Sequence, residues 1–118
     1  MNLGIVGSRS FEDYELMKRE VDLEGIDFIV SGGARGADSL AALLAADNDI
    51  PLIEFKPDYR EHGKMAPFIR NSQIVAASDV IIAFWDGKST GTLDTIKKAQ
   101  NLGKKVIIVE YNRGTLDC

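Results

Sequence analysis

Three glycines crowd the stretch "SGGARGAD", Ser31 through Asp38, between an apolar run and an alanine- and leucine-rich segment. At a strand-to-helix junction glycines let backbone approach a ligand, and the unpaired amides of a helix start favour an oxyanion. A phosphate cradle would use Ser31, Gly32, Gly33, Ala34, Arg35, Gly36, Ala37 and Asp38; a tight turn requiring positive φ accounts for the same glycines equally well. Read as G-x-G-x-x-G, the motif places Ser31 where the first glycine belongs and follows the second apolar run rather than the first. A dinucleotide cofactor is therefore not expected, even with Glu54 near the position of a ribose acid.

A second loop, "DGKSTGT" from Asp86 to Thr92, offers Gly87, Gly91 and the hydroxyls of Ser89, Thr90 and Thr92. It mimics the end of a P-loop, but the first glycine of that motif would fall on Ile82, inside an apolar run, which argues against a nucleoside triphosphatase. Helix capping by Thr90 or Thr92 is the plain alternative. The first loop, "GSRSFED", adds Gly7, Ser8 and Arg9; Ser10 with Asp13 fits a capping box, whereas capping has no use for Arg9. Arg70 and Asn71 in "APFIRNS" could fork onto a phosphate or a carboxylate, or simply be solvated. Trp85, the sole tryptophan, could stack on a base or lie over the core. His62 has no partner pattern, no Ser-His-Asp or metal-ligand arrangement can be assembled, and neither metal nor cofactor is expected.

Five short runs rich in Val, Ile and Phe must position these loops: 2–6, 27–31, 51–55, 79–84 and 104–109. Their nearly continuous apolar character predicts strands buried on both faces. Between them Tyr14, Met17 and Val21, then Leu40, Leu43 and Leu44, fall at helical spacing; a third helix is expected over 66–77, and a fourth carries Leu93 and Ile96 and stops at Gly103. Alternating strands and helices predict a single α/β, Rossmann-like three-layer domain over 1–110 with a five-stranded parallel sheet and a tail over 111–118; order 3-2-1-4-5 is favoured over the flavodoxin-like 2-1-3-4-5. Ligands of such sheets bind beyond the carboxyl ends of the strands. Here those ends carry the loops Gly7–Phe11, Gly32–Gly36, Lys56–Met65 and Trp85–Gly91.

The chain has 118 residues, a net charge of −4 and one cysteine, Cys118, so neither an internal disulfide nor a thiolate metal cluster can form. The acidic balance argues against broad nucleic-acid binding, and nucleic acid is not an expected partner. The first residues lack the pattern of a signal peptide, and no run approaches the ~20 apolar residues of a membrane span. A cytoplasmic protein without a membrane partner is expected. Ile74, Val75, Ala76 and Ala77 could pack on the sheet or meet a second copy, leaving a homo-oligomer open.

Taken together, "GSRSF", "SGGARGAD", "HGKMAPFIRNSQIVAASDVIIAFWDGKSTGT" and "GKKVIIV" resemble the small stand-alone proteins of the SLOG superfamily, in particular its YspA-like, YpsA-related group. The resemblance implies a Rossmann-like protein that binds nucleotides or nucleotide-derived ligands, in some members as a sensor; more distant branches are the LOG-type phosphoribohydrolases and DprA. Carried over by position, it points to Gly7, Ser8 and Arg9, to Ser31 through Asp38, to Arg70 and Asn71, and to Asp86, Gly87, Ser89, Gly91 and Thr92. The LOG pattern P-G-G-x-G-T-x-x-E is broken where its chemistry lies: Thr95 stands at the glutamate position, with Asp94 one residue early. Glycosidic cleavage needs a carboxylate at the sugar.

The first expectation is thus a module binding a phosphorylated nucleoside or nucleotide-derived ligand at the C-terminal edge of the sheet. An N-glycosidase acting on nucleoside monophosphates is the second, with Arg70 orienting phosphate and Asp94 or Asp38 as the carboxylate. DprA-like handling of single-stranded DNA is the third.

Overall fold

The computed structural model describes residues 1–111. The expected tail and Cys118 therefore fall outside the described residues, apart from Tyr111. Five parallel strands form one sheet in the order β3-β2-β1-β4-β5: β1 (Asn2–Gly7), β2 (Phe28–Ser31), β3 (Leu52–Glu54), β4 (Val80–Trp85) and β5 (Lys105–Glu110). This is the α/β Rossmann-like arrangement anticipated. Two helices, α1 (Tyr14–Glu20) and α2 (Ala37–Asp47), cover one face. After the short α3 (Tyr59–His62) and a 3-10 turn (Gly63–Met65), α4 (Ala66–Ala77) and α5 (Thr90–Asn101) cover the other. The chain winds outward from β1 through β2 to β3, then crosses the sheet to β4, so the topological switch lies between β1 and β4, where such sheets open a crevice.

Two apolar clusters sandwich the sheet. Ile5, Phe11, Met17, Ile29, Ala41 and Phe84 lie against α1 and α2, with Phe11 stacked on Phe84 at 4.8 Å. Val30, Ile74, Val75, Ile81, Ala83 and Ile96 lie on the opposite side. Of the α4 stretch considered for self-association, Ile74 and Val75 are only 2% and 1% exposed and pack on the sheet, whereas Ala76 is exposed. Continuous apolar sequence did not mean burial on both faces everywhere. β1 and β4 are buried along their middles, whereas β5 is an edge strand with Ile107 and Ile108 exposed, because no strand pairs with its outer side among the described residues, while Val106 and Val109 pack on the cores.

Side-chain caps start α1 and α5 as expected, but at other residues than those expected. Asp13 caps α1 by accepting the Leu16 amide at 3.0 Å, while Ser10 instead pairs its hydroxyl with Tyr111. Ser89, rather than Thr90 or Thr92, caps α5. The segment 56–65, expected as a plain loop, contains α3, started by the Asp58 carboxylate on the Glu61 amide. Among the described residues no helix is long and apolar enough to cross a membrane.

Candidate functional site

Three loops are tied together beneath the switch point by one buried residue. Ser8 follows β1; its amide donates to the Phe84 carbonyl at 3.0 Å, its carbonyl accepts from Ala37 at 3.3 Å, and its hydroxyl accepts the Asp86 amide at 3.3 Å. The loops after β1, β2 and β4 are thereby held at one rim. Gly36 permits this closeness: its φ is +75°, and a Cβ there would collide with the carbonyls of Ser8 and Arg9.

A cavity of about 500 Å³ opens at this rim. Gly7, Ser8 and Arg9 line it from β1, Ala34 and Asp38 from the second loop, and Arg70 and Asn71 from α4. Asp86, Ser89, Thr90, Gly91 and Thr92 complete it from the loop after β4. The structure does not bring the remaining expected residues to the cavity. Ser31 and Ala37 are fully buried, Gly32 is covered by Arg70, and Gly36 backs onto the first loop. Gly33 faces the Lys56 and Glu54 side chains, and Arg35 and Gly87 are exposed outside the lining. Trp85 is turned away from the position expected for a base: it packs on the second core and donates its indole N–H to the Ser89 carbonyl at 3.0 Å.

The glycine-rich loop makes most of its contacts within the protein. The buried Asp38 carboxylate accepts the Ala34 amide at 3.1 Å, and Arg70 donates from Nη1 to the Gly32 carbonyl at 2.9 Å and from Nε to Asn71 Oδ1 at 3.0 Å. A Cβ on Gly32 would lie 2.5 Å from Arg70 Nη1, so this glycine admits a side chain of the protein itself. Burial pushes the Asp38 carboxyl up, opposed by the Ala34 amide and the Arg70 charge. The Ser31 hydroxyl lies near enough to that carboxyl to favour its charged form, yet closes no hydrogen bond.

The loop after β4 is arranged differently. Asp86 Oδ1 accepts the amides of Ser89 at 2.8 Å and Lys88 at 2.9 Å, and these bonds hold its carboxyl below the usual aspartate range. Ser89 Oγ then caps the Thr92 amide at 3.4 Å, and Leu93 donates to the Ser89 carbonyl at 3.2 Å. Among the described residues the amides of Thr90 and Gly91 find no acceptor, and both residues are exposed on the cavity. Arg9, also exposed there, has no ion-pair or hydrogen-bond partner among them.

Of the carboxylates considered for catalysis, Asp94 lies off the cavity lining and is bound by Lys98 at 2.5 Å and by the Asn71 side-chain amide at 3.1 Å. Thr95, at the position where a LOG-type enzyme would carry glutamate, does line the cavity and donates its hydroxyl to the Gly91 carbonyl at 3.3 Å. Among the described residues no three His, Cys, Asp or Glu side chains gather to hold a metal ion. Pro67 and Phe68, not expected from the sequence, also line the cavity, as does Ile74, expected only in packing or self-association; the i, i+3 spacing of Phe68 and Asn71 on α4 was the available signal.

The family described as YspA, cpYpsA-related SLOG (YAcAr) matches residues 3–62. Gene 61 protein of Mycobacterium phage D29 is 40% identical over 86 residues, covering 67% of this chain and 68% of the phage protein. Two solved structures share the fold over 97% of this chain. DNA processing protein A from Streptococcus pneumoniae does so with a TM-score of 0.76 and 20% identity, and this chain spans about half, 52%, of its length. The Helicobacter pylori protein of the same name, described for its single-stranded DNA binding mode, does so with a TM-score of 0.71 and 24% identity over 67% of its length. This likeness overturns the expectation that set nucleic acid aside as a partner. That expectation used the summed charge of the chain, whereas nucleic-acid contact depends on the local surface.

Proposed function

The chain belongs to the YspA, cpYpsA-related SLOG family, and from that premise we propose that it binds a phosphorylated nucleoside or nucleotide-derived ligand in the cavity between β1 and β4. The observation that carries this reading is the pair of unpartnered amides of Thr90 and Gly91 at the start of α5, on the same cavity as the unpaired Arg9. A helix start and a guanidinium together suit a phosphate group. Arg70 has a supporting part, because Gly32, Asn71 and Asp38 already engage it. The cavity falls within the ~300–1,000 Å³ span of small-molecule sites.

Cleavage of the ligand is the weaker reading. Asp94 is neutralised by Lys98 away from the lining, Asp38 is engaged by Ala34 and Arg70, and a threonine occupies the glutamate position. Single-stranded DNA is favoured by a different observation. Exposed Tyr59 precedes α4 with Arg60 and Lys64, which alternate with the acidic Asp58 and Glu61, so it is the exposed aromatic ring rather than net charge that suits a base, and the shared fold includes a protein described as binding such DNA.

A thermal-shift series with nucleoside monophosphates tests the proposal, since a ligand at 100 times its Kd adds ~2.7 kcal/mol to stability. An upshift with these ligands is expected, reduced to about half at the same ligand concentration in Arg9→Gln. A salt-sensitive shift with oligonucleotides alone, unaffected by Arg9→Gln, would transfer the assignment to DNA.

A further inference from the structure

We infer that Phe68 is the platform on which the ligand's aromatic ring stacks, making the site selective for a nucleobase-bearing phosphate over a phosphosugar. The inference rests on the phosphate reading above and adds what the other end of the ligand must be. Phe68 stands in the first turn of α4, lines the cavity and is 40% exposed, although Phe11 and Phe84 are buried at 1% and 0%. Phe28 is equally exposed, but it begins β2 at the opposite edge of the sheet.

The ring is also held in place. Lys98 Nζ lies 5.6 Å from its centroid, donates to the Phe68 carbonyl at 3.1 Å, and is itself fixed by Asp94. Lys98 thus joins the ring to α5, the helix that supplies the free amides of Thr90 and Gly91. Pro67 adds a second apolar group on the same wall. An exposed aromatic with a cation at its face and a phosphate-binding helix start on the same cavity matches a ring linked to a phosphate. Trp85 cannot fill this role, being packed into the second core and tied to Ser89.

Calorimetric titrations of AMP, GMP, CMP, UMP and ribose 5-phosphate into wild type, Phe68→Leu and Phe68→Trp decide the matter. Stacking is worth enough that at least one nucleotide should bind about tenfold tighter than ribose 5-phosphate to wild type. Phe68→Leu should erase that advantage while ribose 5-phosphate binds as before, and Phe68→Trp should keep it. If every nucleotide binds wild type no better than ribose 5-phosphate, the stacking role is wrong while the phosphate site stands. An equal weakening of all probes in Phe68→Leu overturns it too, showing a merely structural side chain. Binding by none of the five probes removes both this inference and the phosphate reading beneath it.

Discussion

The loops after β2 and β4 look alike in sequence, each a glycine-bearing junction from a parallel strand into a helix, and the fold uses them in opposite ways. In the first, the Gly32 carbonyl receives Arg70, the Ala34 amide goes to Asp38, and Gly36 lets the Ser8–Arg9 backbone press close. In the second, Asp86 and Ser89 organise the turn, and the Thr90 and Gly91 amides stay open to the cavity. Glycine richness marks where backbone approaches something. Whether that is a ligand or another part of the chain depends on what the rest of the fold brings there.

Substitutions should separate the loops. The largest effect is expected from Gly36→Ala, which combines a positive φ with backbone collision and should lower stability by roughly 3 kcal/mol in denaturant titration. A loss under ~1 kcal/mol would show that the first loop is not the structural clamp described. Next comes Arg70→Met, which deletes two hydrogen bonds and leaves the buried Asp38 without its cation; about 2 kcal/mol should be lost. Unchanged stability here would return Arg70 to the list of ligand contacts.

On the other side of the cavity the expected effects concern binding. Arg9→Gln should leave unfolding unchanged and weaken nucleotide binding about tenfold, as for loss of one charge-assisted hydrogen bond. Smaller again is Gly91→Ala. A Cβ there meets nothing within 4 Å, so helix propensity should raise stability by ~0.5–1 kcal/mol, while ligand binding falls if phosphate approaches that backbone. A stabilised variant that binds as well as wild type would place the phosphate elsewhere.

The slightest and most diagnostic contrast is in pH. The Asp86 carboxyl is depressed, so its contribution is present above the unfolded aspartate pKa and is lost as pH falls through the folded one. Asp38 is raised by burial, so its contribution is present below the unfolded value and is lost as pH rises through the folded one. Acid unfolding of Asp86→Asn and Asp38→Asn, each compared with wild type, should therefore show differences trending in opposite directions across the acidic range. Parallel trends would mean that the two loops are alike after all.

Much of this was legible in the residues themselves. The α4 span 66–77 was expected and is observed, with Pro67 in its first turn, and alternation with right-handed crossovers pointed to a parallel sheet, whose order 3-2-1-4-5 rather than 2-1-3-4-5 the structure decides. Arg9 could be singled out because no capping role accounted for it. Trp85 misled because the end of β4 locates a side chain along the strand without saying which way it turns; its indole found the Ser89 carbonyl four residues on. Phe68 went unnoticed because an apolar residue beside a helix start is ordinarily core.

The sequence by itself determined the alternating strands and helices of a parallel α/β sheet, since periodicity, glycine stops and short apolar runs act over a few residues. Only the tertiary structure decided which amides remain open. That choice depends on partners far apart in the chain, such as Arg70 reaching the Gly32 carbonyl 38 residues away, and local pattern carries no information about such pairings.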